Sequence, residues 1–152
     1  MRWTTMLLAL ALLSAPITSP GAEAQTAIIV NRSNALSDLK LDDARRYFLA
    51  RVTELPNGEK VAIAELVPMR SSFYKKLLGV APNEVKRHWL QMVFVGRTQQ
   101  MPAELGDPAA VKKFVAEHAG AIGFIPVGAT DETIKVLRID GKLPSDADYP
   151  IK

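Results

Sequence analysis

The residues best placed to do chemistry are Arg70, Ser71 and Ser72. A guanidinium offers a rigid fork of N–H donors, and two neighbouring hydroxyls add more, so the triplet suits a small oxyanion. It lies between an apolar, strand-like run (Val61–Val67) and a helix-like run (Phe73–Leu78). The free N–H groups of a helix start would then join it, because they carry partial positive charge and lack intrahelical partners. Asn31 ends an earlier apolar run and is a further candidate for the same anion, since open α/β sheets place ligands at strand ends. The residues alone leave a second account open, in which Ser71 or Ser72 is an ordinary helix cap and Arg70 a solvent arginine.

Other chemistries find less support. His88 and His118 fall in different predicted helices, and neither has a second histidine or a cysteine at metal-ligand spacing. There is no cysteine, and no Gly-x-Ser-x-Gly elbow to raise a serine into a nucleophile. Asp42-Asp43 and Asp146-x-Asp148 fall at a helix start and in a loop, where carboxylates cap and solvate. Gly120-x-x-Gly123 lacks the spacing of a dinucleotide fingerprint, and Gly58-Glu59-Lys60 is not a phosphate loop. No enzyme, metal or cofactor is expected.

The elements that must position Arg70 follow from periodicity. Ala27–Val30 is a short β-branched run and reads as a buried strand leaving into Asn31-Arg32-Ser33-Asn34. Leu41–Leu49 has helical spacing, with acids early and bases late as the helix dipole favours. Pro56-Asn57-Gly58 is a turn, and Val61–Val67 a second strand stopped by Pro68. Ser71 or Ser72 would cap a helix over Phe73–Leu78 that Gly79 closes. Pro82 opens a helix whose inner side carries Val85, Trp89, Met92 and Val93, and Gly96–Gly106 reads as a polar loop. Asp107-Pro108 caps a helix over Ala109–His118. Ala121–Val127 and Ile134–Ile139 complete the strands, with Pro126 confined to an edge or a strand end. Strands alternating with helices predict an α/β domain with a mixed sheet flanked by helices.

The first two dozen residues predict export. Arg2, the apolar run Met6–Leu13 and Ala22-Glu23-Ala24 form the three parts of a cleavable signal peptide over residues 1–24, leaving one domain over residues 25–152. Met6–Leu13 is far short of the roughly 20 residues of a membrane span, so no insertion is expected. Without cysteine, no lipoprotein anchor is expected. The net charge of +3 would help attract an anion and argues little for nucleic acid. The pairs Arg45-Arg46, Lys75-Lys76, Lys86-Arg87 and Lys112-Lys113 read as solvated helix faces.

In order and spacing, several segments resemble the phosphate-type periplasmic substrate-binding proteins of ABC transporters. Phe48-Leu49-Ala50-Arg51 is similar to their "IFLGK" stretch, and Leu55-Pro56-Asn57-Gly58 to a "WPNG" turn. Arg70-x-x-Phe73-Tyr74 resembles the arginine and aromatic after the ligand loop, and Trp89 with Phe94-x-Gly96 a "W…iFtG" helix end. Phe114-Val115 with Gly120–Phe124 resembles "V…pGAIGYV", and Tyr149-Pro150-Ile151 a "YPI" tail. The resemblance implies one lobe of a type II periplasmic binding protein, located in the periplasm. It implies a small phosphate-like oxyanion near Arg70, Ser71 and Ser72, and a partner such as an ABC permease. Two departures stand out. The chain corresponds to one lobe of a two-lobed family, and Val67-Pro68-Met69 replaces the family's Ser-Gly-Thr run. Weak anion binding is therefore expected. The alternative is an interaction module that docks on another envelope protein or pairs as a homodimer.

Overall fold

The computed structural model describes residues 25–152; the expected leader, residues 1–24, lies outside the described residues. The elements run β1 (Thr26–Asn31), β2 (Asp38–Leu39), α1 (Leu41–Phe48), β3 (Ala62–Leu66), a 3-10 turn (Val67–Met69), α2 (Arg70–Leu78) and α3 (Pro82–Phe94). Then come β4 (Ala103–Leu105), α4 (Pro108–Glu117), β5 (Ala121–Pro126), a second 3-10 turn (Val127–Ala129), β6 (Ile134–Val136) and β7 (Arg138–Ile139).

Five strands form one mixed sheet in the order β4-β3-β5-β1-β6. The pairs β4–β3 and β3–β5 are parallel, while β1 runs antiparallel to both β5 and β6. β2 and β7 form a separate parallel pair. β1 and β5, buried almost throughout, are neighbours near the middle of the sheet, where both faces are covered. The expected α/β architecture, a mixed sheet flanked by helices, is the one found.

Helices cover both faces. On one, α4 lies close enough that a Cβ at Gly123 would meet Val111 Cγ1 at 3.1 Å, so the glycine permits the approach. On the other, Phe73 of α2 stacks on Phe124 of β5 at 3.8 Å between ring centroids, with Phe48 of α1 edge-on to Phe73 at 4.9 Å. Trp89 of α3 donates Nε1–H to the Phe48 carbonyl at 2.9 Å, fixing which side of α3 faces inward.

Three local expectations are corrected. Neither Ser71 nor Ser72 caps α2; the helix begins at Arg70 as a continuation of the 3-10 turn, with no side-chain cap. Pro68 presets the φ that starts this turn, so helical backbone begins before either serine. The predicted loop Gly96–Gly106 contains β4, which forms by borrowing the exposed edge of β3. The predicted strand Ile134–Ile139 is broken at Leu137, so its halves join different sheets. Other signals are found as read. Gly79 ends α2 at φ 71°, and Asp107 accepts the Ala110 N–H at 2.8 Å. Ala50, just after α1, is buried at φ 52°, a left-handed conformation that glycine adopts more easily.

Candidate functional site

Arg70 stands where the parallel strand β3 hands over to α2, and Phe73 and Tyr74 bury the next turn of that helix. Tyr74 lies four positions after Arg70, so both project on one side of α2. Between them lies Glu65 of β3, only 5% exposed. Its Oε1 accepts the Tyr74 hydroxyl, and its Oε2 lies 3.2 Å from Arg70 Nη1. The same Nη1 donates to Glu104 Oε1 of β4 at 2.9 Å, and Lys86 Nζ of α3 stands 3.7 Å from that oxygen. The Arg70 side chain is 26% exposed.

The chemistry of each group follows. Desolvation disfavours the Arg70 charge, but hydrogen bonds and charge from Glu65 and Glu104 outweigh it, holding the guanidinium above its ordinary pKa. Tyr74 is pushed well above the usual tyrosine value by burial, then by the charge and hydrogen bond of Glu65. It is therefore a fixed donor at any physiological pH. Nη1 serves both carboxylates, and among the described residues Nε and Nη2 have no acceptor.

A hollow of about 260 Å3 opens beside this cluster. Glu65, Arg70, Lys86 and Glu104 form its polar side, and Trp89, Leu90 and Met101 its apolar side. Two cations and two carboxylates give it no net formal charge. Pro68 has no N–H, and the Arg70 N–H already donates to Val67 O. The row of free amides expected at the start of α2 is thus curtailed, leaving the Arg70 side chain as the main donor. Ser71 is exposed and Ser72 half-buried, both in the first turn of α2 beside Arg70.

Asn31 is not brought to this place. β1 is antiparallel to β5, which is parallel to β3, so the end of β1 lies at the sheet edge opposite Arg70. Its amide is fully used: Nδ2 donates to the Val115 and Ala116 carbonyls, both at 2.9 Å, and Oδ1 accepts from Ser33 N and Oγ at 2.9 and 2.7 Å. Asn31 ties the end of α4 to the loop after β1. The histidines are similarly occupied. His88 Nε2 lies 2.7 Å from the Leu49 carbonyl, and His118 stacks on Phe114 with Nδ1 2.8 Å from its carbonyl. Among the described residues, no group of three or more His, Cys, Asp or Glu side chains is placed to hold a metal.

Glu65 and Glu104 were not singled out in the sequence. A signal existed for Glu65: it is the one charge inside the apolar run Val61–Val67, and a charge there demands a buried partner.

The fold is that of one lobe of phosphate transport receptors. An ABC-type phosphate transport receptor from Vibrio cholerae matches with TM-score 0.66 and 17% identity, over 84% of this chain and 53% of its own. A putative phosphate ABC transporter substrate-binding protein with bound phosphate, from Clostridium perfringens, matches with TM-score 0.63 and 17% identity, over 80% and 47%. PstS from Borrelia burgdorferi matches with TM-score 0.63 and 10% identity, over 84% and 54%. The chain spans about half the length of these structures. No protein-family model and no curated protein sequence matches it.

Proposed function

We propose that this chain is a non-enzymatic, single-lobe binding protein of the cell envelope, related to phosphate ABC-transporter receptors, that takes a small oxyanion weakly at Arg70. The leader expected at residues 1–24 supports its export to the periplasm. The observation that carries the reading is the placement of Arg70, which follows the C-terminal end of a parallel strand and lines a hollow, with no acceptor for Nε or Nη2 among the described residues. Ser71 and Ser72 supply neighbouring hydroxyls. Glu65 and Glu104 offset the arginine's charge, so affinity is weak. Hydrogenphosphate suits this setting better than sulfate, because it carries a proton that a carboxylate can accept. Calorimetry with phosphate and sulfate tests the reading. Dissociation constants of roughly millimolar order, lost in Arg70→Ala, are expected. Absence of heat with phosphate, or unchanged binding in Arg70→Ala, refutes it.

A second reading, an interaction module, is favoured by a different observation. Leu90, Phe94 and Val95 at the end of α3 are exposed to 54%, 93% and 67%. Such side chains, grouped together, mark a contact surface.

A further inference from the structure

We propose that the C-terminal end of α3 is a peripheral docking tip for an anionic phospholipid surface. The proposal rests on the interaction-module reading; the tip shares Lys86 and Leu90 with the rim of the hollow but does not need an anion at Arg70.

The tip is built by helical spacing. α3 turns Val85 and Trp89 inward, with Trp89 held by the Phe48 carbonyl. That orientation sends Leu90 and Phe94, one turn apart, to the outer side. Val95 follows at the helix end, and Gly96 at φ 73° turns the chain away. More than half of each of these three side chains is left in water, which is costly for apolar surface.

The shape and the charge select the occupant. Phe94 is so nearly free of neighbours that no wall of this protein meets its ring. A protein partner would have to supply a fitted pocket, whereas the apolar interior of a lipid interface needs none. The charged residues nearest in spacing are cations. Lys86 lies one turn before Leu90 on the same stripe, and Arg87 flanks it. Arg97 follows Gly96, its Nη2 reaching the Arg51 carbonyl at 3.3 Å. Glu104 is the carboxylate beside Lys86, and it is engaged by Arg70. Apolar side chains framed by lysine and arginine match an anionic headgroup layer above acyl chains. Docking is peripheral, since no helix among the described residues is long and apolar enough to cross a membrane.

The test uses protein purified after export from an expressing bacterium. Its co-sedimentation with equimolar phosphatidylglycerol–phosphatidylcholine vesicles is compared with that on pure phosphatidylcholine vesicles. The proposal expects binding to the anionic vesicles only, weakened by salt. Phe94→Ser should reduce it about tenfold, and Arg87→Gln or Arg97→Gln about fivefold each. All three positions are exposed, so circular dichroism should be unchanged. No binding, equal binding to both vesicles, or binding that survives Phe94→Ser overturns the proposal. Concentration-dependent dimerisation abolished by Phe94→Ser, without lipid binding, also overturns it and assigns the tip to a second copy. In that case the interaction-module reading survives. A monomer that binds neither lipid nor itself overturns the proposal and removes support from that reading as well.

Discussion

Glu104→Gln isolates the electrostatic part of anion binding. The side-chain amide it introduces can still accept from Arg70, so the substitution removes one negative charge and little else. An anion held by Nε and Nη2, on the other side of the guanidinium, sits roughly 6 Å from the Glu104 carboxylate. Glu104 is half exposed, so a water-like dielectric applies, and repulsion of a phosphate dianion is about 1.4 kcal/mol before screening. At physiological salt the Debye length is about 8 Å, which halves that figure. Phosphate should therefore bind Glu104→Gln about threefold more tightly at physiological salt, and nearly tenfold at low ionic strength. Phosphorus NMR titration at two salt concentrations reads both values. The reasoning fails if affinity is unchanged or falls, or if the gain does not shrink with salt. Either result would mean that phosphate does not bind beside Arg70.

Three further outcomes are expected. Asn31→Ala removes a buried amide that satisfies two carbonyls and a serine, so urea denaturation should show a loss of about 2–3 kcal/mol with phosphate affinity unchanged. Ala50→Gly relieves a left-handed alanine and should raise stability by about 0.5–1 kcal/mol in the same assay; a fall would show that chain entropy outweighs the relief. The Tyr149 hydroxyl is buried without an acceptor, and burial pushes its pKa up to about 12, with the Ile28 backbone opposing. Its folded pKa exceeds the unfolded value, so its contribution is intact below about pH 10 and is lost as pH rises from there to about 12, at about 1.4 kcal/mol per pH unit. Tyr149→Phe should flatten that part of the alkaline stability profile and be neutral or slightly stabilising at pH 7.

Legibility followed the scale of the physical signal. β1, β5, α1, α3 and α4 are each marked by apolar runs or by helical spacing, with Asp107 capping α4, and these are set by local residues. β4 is three residues beside Pro102, too short to show a period; it is a strand because the edge of β3 is there to pair with it. Ile134–Ile139 alternates as a strand should, but alternation cannot reveal that Leu137 divides two sheets. Arg70 was visible as a cation at a strand–helix junction. Its neutralising partners were not, because Glu104 arrives from β4, and Glu65 becomes meaningful only when Arg70 and Tyr74 are known to share one side of α2. The separation of Asn31 from Arg70 is hidden for a related reason. A polar residue at a strand end can face ligand or carbonyls, and the antiparallel course of β1 decides which.

The position of β1 in the sheet also sets the order of assembly. Its two neighbours, β5 and β6, are made from residues 121–136, so Ile28 must wait for Phe124 before it can pair. In a chain delivered N-terminus first, this strand has no partner until nearly all of the polypeptide has emerged. Loop closure over that separation makes the step slow. A chain of this design completes its central strand pairs only when residues 121–136 are available, an order that would suit the proposed export of the protein.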